Sequence, residues 1–188
     1  QIQNIPSQNY ICSYCNNPLA SDKGWIALDQ QSQVAGYICV CHRCLQPTYI
    51  DIYGRQHPGV TFGNPVQHIP DESVKELYDE ARQATGIGSY TAAVLCCRKL
   101  LMHIAVSKGA KSGESFISYV EYLANNHFVP PDAKEWVDNI RKKGNEANHE
   151  ITIMGIEDAK ELLSFSEMLL KVIYEFPALI KNKAKTEK

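Results

Sequence analysis

The sequence has no long hydrophobic run. No apolar stretch approaches the roughly 20 residues that span a bilayer, so no membrane association is expected. It has no basic start followed by an apolar core either; QIQNIPSQNY is polar, and no signal peptide is read there. It has no cationic surplus. A formal net charge of −2 argues against a generic nucleic-acid coat, although it permits a local basic patch. Low-complexity tracts are missing, and no internal repeat is read. With 44% hydrophobic and 21% charged residues the composition is that of a globular chain rather than a disordered one. A length of 188 residues holds one ordinary domain, or a small one beside a medium one.

Cysteine is present in number but not in disulfide pattern. There are seven, an odd count, and four of them form two tight C-x-x-C pairs. That arrangement argues against a secreted disulfide framework and predicts a reducing, cytoplasmic compartment. Five cysteines lie within residues 12–44; Cys96 and Cys97 fall in an apolar helical pattern and are expected in a core.

The two parts of the chain read differently. Residues 1–54 are strand and turn material: YICSYC, GWIALDQ, AGYICVC and TYIDIYG are broken by Asn-Asn-Pro, Asp-Lys-Gly and Gly. Residues 55–70 hold three prolines and two glycines and read as a linker. From Asp71 apolar residues recur at helical spacing. Helices are expected over about 71–84, 89–107 with Ser89 as cap, 114–126, 132–149 and 156–179, in an up-and-down bundle over 71–182. Residues 183–188 read as a solvated basic tail, continuing the series Lys181, Lys183, Lys185, Lys188. The fold class is therefore α+β: a small four-cysteine zinc ribbon of short antiparallel strands, then an all-α bundle.

Cys12-Ser-Tyr-Cys15 and Cys41-His-Arg-Cys44 are separated by 25 residues, enough for a hairpin. Two residues between cysteines let a tight turn aim both sulfurs at one tetrahedral ion, and two such turns complete a four-thiolate site. One Zn2+ per chain is expected, held by Cys12, Cys15, Cys41 and Cys44. It would supply folding free energy that so small a core lacks. A closed site of four thiolates has no open coordination position, so the zinc is expected to be structural. Cys39 is taken as a non-ligand, with exchange for Cys41 as the alternative. His42 is expected to be exposed.

On the fourth expected helix, Arg141, Asn145 and His149 are four apart and share one stripe. A guanidinium pairs with phosphate in bidentate fashion. An imidazole can take a ribose hydroxyl proton or protonate a leaving oxygen. A solvated face ending in a histidine satisfies the same spacing. Arg98 either reaches this stripe or faces water, and His103 reads as a surface residue.

The stretches AAVLCCRKLLMHIAVSKGA, WVDNIRKKGNEANHEI and FSEMLLKVIYEFPALI, in that order, resemble an uncharacterised bacterial domain family. That family is often placed beside restriction-modification subunits and is grouped with the HEPN superfamily of nucleotide-binding helical bundles. The resemblance covers about residues 71–182, and an N-terminal zinc ribbon is a known companion of it. It implies a bundle that dimerises through the helical domain. It also implies nucleic-acid binding and, in many members, metal-independent RNA cleavage in phage defence or stress. RNA and a restriction-system or defence protein are the partners it implies. The HEPN signature is an Arg, a short gap and a His, with a polar residue usually following the Arg. Here Asn145 takes the polar place and His149 the histidine place, while Gly144 stands where the arginine is expected. Arg141 lies one turn earlier. The resemblance thus leaves two branches. In one, Arg141 holds phosphate, Asn145 orients it and His149 acts as general acid or base. In the other, the protein is a noncatalytic interaction module or restriction-system accessory.

Overall fold

A computed structural model describes residues 2–130, 136–140 and 153–186; Arg141, Asn145 and His149 lie outside them. The architecture is α+β: a five-stranded antiparallel sheet followed by helices. The chain divides into two compact units, Gln1–Phe62 with Thr85–Gly88, and Gly63–Ala84 with Ser89–Lys188.

In the first unit the strands run in sequence order: β1 (Gln3–Ile11), β2 (Pro18–Leu28), β3 (Val34–Val40), β4 (Pro47–Asp51) and β5 (Gln56–His57). Two aspartates close the hairpin turns by accepting amides their turns would otherwise leave unpaired. Asp29 Oδ1 accepts from the Gln31 and Gln33 amides, both at 2.9 Å. Asp51 Oδ1 accepts from Tyr53 at 2.9 Å and Arg55 at 2.8 Å, and its Oδ2 accepts from Arg55 Nε at 2.6 Å. The core is small: Ile5, Tyr10, Cys39 and Ile50, with Leu19, Ile26 and Tyr37 packed against it. So few apolar side chains stabilise a unit of about 60 residues poorly, which puts weight on the cysteines at its end.

The second unit contains α1 (Glu72–Gly86), α2 (Tyr90–Ser107), α3 (Phe116–Asn125) and α4 (Ile156–Leu170). A π-helical turn at Lys171–Glu175 leads into α5 (Phe176–Thr186). Asp71 caps α1, accepting the Ser73 amide at 2.9 Å, and Ser115 caps α3, accepting the Ser118 amide at 3.1 Å. Ser89 precedes α2 as expected, but its side chain makes no capping bond. Lys108 ends α2, and Gly109 follows with φ +107°. Leu100, Leu101, Ile104 and Ala105 of α2 are fully buried, and α2 packs against α3 and α4. Among the described residues α2 is the one helix long and apolar enough to cross a membrane; its buried face is that of a core helix. Residues 136–140 are helical; Val137 and Ile140 are buried, and Trp136 meets Phe165 edge-to-face at 5.2 Å.

Two segments differ from the sequence reading. Residues 55–70 do more than connect. Gln56 and His57 form β5, Val66 is buried, and residues 63–67 are strapped to the helices. Glu167 accepts from the Asn64 amide at 2.9 Å and its Nδ2 at 3.1 Å, and Glu175 accepts from the Gln67 amide at 2.7 Å. Tyr78 Oη donates to Asn64 O at 2.9 Å, and Arg82 to Gly63 O at 3.1 Å. At the other end, the last helix runs to Thr186, so the basic series begins on α5 rather than in a frayed tail.

Candidate functional site

β1 and β3 each run into a tight turn that opens with a C-x-x-C pair, and the meander brings the two turns together. Cys12, Cys15, Cys41 and Cys44 place their sulfurs within 4.8 Å of one another. Cys12 Sγ lies 3.5 Å from Cys44 Sγ, and Cys15 Sγ 3.7 Å from Cys41 Sγ. Four thiolates at about 2.3 Å from a tetrahedral ion stand about 3.8 Å apart, so the observed spacing fits such an ion with little adjustment. Cys12 and Cys41 are buried, and Cys15 and Cys44 are half-buried. The residues present therefore fit a metal, and the donor set of soft sulfurs suits a d-block cation.

The two turns are copies. Cys12 N donates to Asn17 O at 3.0 Å and Asn16 N to Cys12 O at 2.8 Å; Cys41 N donates to Gln46 O at 3.0 Å and Leu45 N to Cys41 O at 2.9 Å. Asn16 and Leu45 both take left-handed backbone, φ 53° and 60°. A proline, Pro18 or Pro47, then opens the next strand. The seven-residue pattern C-x-x-C-x-x-P thus occurs twice, CSYCNNP and CHRCLQP. This internal repeat is visible in the sequence but is far shorter than the periods of about 20–50 residues that mark repeat folds.

Backbone amides point at the sulfurs, as anion binding requires. Cys12 accepts from the Tyr14 and Cys15 amides, and Cys41 from the Cys44 and Arg43 amides. Without a cation the four thiols compete. Burial pushes Cys12 up to about 12. The Cys44 and Arg43 amides outweigh burial at Cys41 and bring it down to about 6. A bound cation would remove that competition by stabilising all four thiolates. Cys39 lies apart from the cluster. It pairs with Thr48 in the β3–β4 ladder, packs with Ile5, Tyr10 and Ile50, and burial raises its thiol. Cys41 stands one residue beyond β3, where the turn redirects its side chain to the cluster. His42 is exposed.

In the helical unit Cys97 is buried and burial pushes its thiol up to about 12, whereas Cys96 is half-buried. The Arg98 guanidinium lies 4.4 Å over the Phe116 ring, and burial lowers its pKa. Arg98 and Phe116 line a small recess with Val94, Ile140, Met154, Asp158 and Leu162. His103 is half-exposed, with Nε2 3.6 Å from Asp71.

The family model described as "Domain of unknown function (DUF4145)" matches residues 79–187, more than half of the chain. The chain belongs to this family. The DUF4145 match begins inside α1 and takes in the other helices, and the four-cysteine cluster lies outside it. Neither a curated protein nor a solved structure matches the chain.

Proposed function

We propose that the protein is a HEPN-like nucleic-acid-binding protein whose sheet unit is a ribbon built around one structural Zn2+. It acts in a reducing cytoplasm and dimerises through its DUF4145 domain, in phage defence or stress. The four-sulfur cluster supports zinc: its donors are all soft, they lie within 4.8 Å of one another, and four thiolates leave no open position for a substrate. The observation that carries the nucleic-acid reading is the position of Arg98. It is held half-buried on Phe116 and lines the same recess as Ile140, the residue immediately before Arg141. A guanidinium pairs with phosphate in bidentate fashion. In this reading Arg141 holds phosphate, Asn145 orients it, and His149 moves the proton of the attacking 2′-hydroxyl or of the leaving oxygen.

The test is incubation with total RNA and single-stranded DNA, without divalent cation, beside His149→Ala and Arg141→Ala. Cleavage that survives chelation and disappears in His149→Ala supports the nuclease reading. RNA left intact by a folded, zinc-loaded chain removes it. A second reading is favoured by one residue: Gly144 occupies the arginine place of the HEPN signature. In that reading the protein is a noncatalytic interaction module, or a restriction-system accessory, that binds without cutting.

A further inference from the structure

The four clustered cysteines occupy one end of the sheet unit. The sheet's outer face carries a different feature. Cross-strand register places Trp25 opposite Ile38, Ile38 opposite Tyr49, and Tyr49 opposite His57. These four residues form one row across β2, β3, β4 and β5, one position out of phase with the core row Ile26, Tyr37 and Ile50. Trp25 is 37% exposed, His57 is exposed, and Ile38 and Tyr49 are half-buried. Tyr49 is laid flat. Its hydroxyl donates to Ala35 O at 2.7 Å, and a Cβ at Gly36 would stand 2.5 Å from Tyr49 Cε2. The half-buried ring therefore rests over the bare backbone of Gly36. The His57 ring lies beside it, centroids 5.9 Å apart and tilted by 31°.

We infer that this face is a stacking platform for single-stranded nucleic acid, with Trp25, Tyr49 and His57 as the base-contacting rings. It takes its ligand class from the nucleic-acid reading above, but it places the ligand on residues of its own in the other unit. Three observations select this occupant. Aromatic rings set along a sheet face suit unstacked bases and not a duplex, whose bases are stacked out of reach. An extended peptide would seek an unpaired strand edge, whereas Ile38 and Tyr49 of this row stand on the interior strands β3 and β4, and of the row only His57, on β5, is at an edge. The charge is also suitable. Residues 1–62 contain no glutamate, and their three aspartates are matched by Lys23, Arg43 and Arg55, so the chain's net negative charge lies elsewhere. Asp51, two positions along β4 from Tyr49, is buried and engaged by Arg55. Lys23, two positions before Trp25, and Arg43 are exposed. Both can follow a backbone whose bases lie on the rings.

The chain has two tryptophans, so in a full-length Trp136→Phe background Trp25 alone reports. That protein, zinc-loaded, is titrated with end-labelled oligo(U) and oligo(dT). Anisotropy reads binding and tryptophan emission reads stacking. The platform requires Trp25 emission to fall in step with binding. It requires Trp25→Ala and His57→Ala each to weaken binding by about tenfold, with Trp25→Phe restoring most of it. Lys23→Ala should flatten the salt dependence. Oligonucleotide bound with unchanged emission, and with unchanged affinity in Trp25→Ala and His57→Ala, overturns the platform and leaves nucleic-acid binding to the helical unit. No binding by either oligonucleotide overturns both. Quenching by a polyproline peptide but not by oligonucleotide also overturns it, because the face then belongs to a protein partner.

Discussion

Asn16 and Leu45 hold the same place in two copies of one turn: each follows the second cysteine of its pair, and each has left-handed backbone, φ 53° and 60°. Asparagine tolerates that region through its short polar side chain, whereas leucine carries a steric cost of about 1 kcal/mol. Leu45 is 73% exposed, so nothing in its packing offsets the cost. Leu45→Asn is expected to stabilise the metal-loaded sheet unit by about 0.5–1 kcal/mol, and Asn16→Leu to destabilise it by a similar amount. Thermal melts of the two variants beside the parent chain check both signs.

Metal content and its pH dependence follow from the thiols. About one zinc per chain is expected by elemental analysis, and a Cys12→Ser or Cys44→Ser variant should lose it. The linkage runs in one direction. Burial keeps Cys12 protonated at neutral pH, its pKa about 12 without metal, so zinc binding expels that proton and affinity rises with pH. Cys41, held at about 6 by the Cys44 and Arg43 amides, is already ionised at neutral pH and adds its own competition only as the pH falls through about 6. Affinity measured by chelator competition should fall by about tenfold per pH unit for each proton involved, and more steeply below pH 6. An affinity that does not change between about pH 5.5 and 7.5 would contradict thiolate ligation. Chelation should melt the sheet unit while leaving most helical circular dichroism in place.

Glu167 ties the 63–67 segment to α4. Burial works against its ionised form, but Lys171 Nζ and both nitrogens of Asn64 donate to it, and together they hold the carboxyl below its ordinary value. Its side chain is 14% exposed, so solvent screens little of this. A depressed folded pKa contributes stability that is fully present above the ordinary value of 4.5 and is lost as the pH falls through the folded value. Glu167→Gln is expected to cost about 1–2 kcal/mol at neutral pH. The gap between variant and parent should close as both are titrated down through the folded value, below 4.5. Urea melts followed by helical circular dichroism at the two pH values read this difference.

Gly36 is required by close approach and not by backbone angle. A Cβ there would meet Ile50 O at 2.4 Å and Tyr49 Cε2 at 2.5 Å. Gly36→Ala should destabilise the sheet unit by about 1–3 kcal/mol and lift Tyr49 off the sheet. A thermal melt reads the first effect, and the near-ultraviolet signature of the tyrosines reads the second.

Much of the architecture was legible from local signals. The helix at residues 71–84 is observed as Glu72–Gly86, and the one expected over 89–107 as Tyr90–Ser107. Apolar spacing and Gly86, Gly88 and Gly109 suffice to mark both. The expected helix over 156–179 is interrupted by the π turn at Lys171–Glu175 and extends to Thr186. Periodicity survives one extra residue in a turn, so a π insertion leaves too faint a trace to read. Cys39 and Cys41 show the opposite difficulty. Strand alternation gives them the same face, yet the chain turns after Val40 and only Cys41 joins the cluster.

The strap at residues 63–67 was not legible. Its prolines and glycines look like those of any connector, and Glu167 and Glu175, which receive its amides, lie 103 and 108 residues away. The row from Trp25 to His57 was equally hidden, because cross-strand partners depend on register, which composition does not reveal. The Arg141, Asn145 and His149 stripe remains a matter of spacing and resemblance, outside the described residues.

By itself the sequence determined the α+β order, most helix limits and the four cysteines of the candidate metal centre, because caps, turn residues and C-x-x-C spacing act over a few neighbouring positions. Only the tertiary structure decided which distant groups meet: sulfurs 26 and 32 residues apart in the cluster, amides and carboxylates across the strap, rings side by side on one face. The reason is physical. Local signals are set by steric and hydrogen-bonding limits on short segments, whereas long-range contacts depend on strand register and helix packing, which every residue of the fold helps to set.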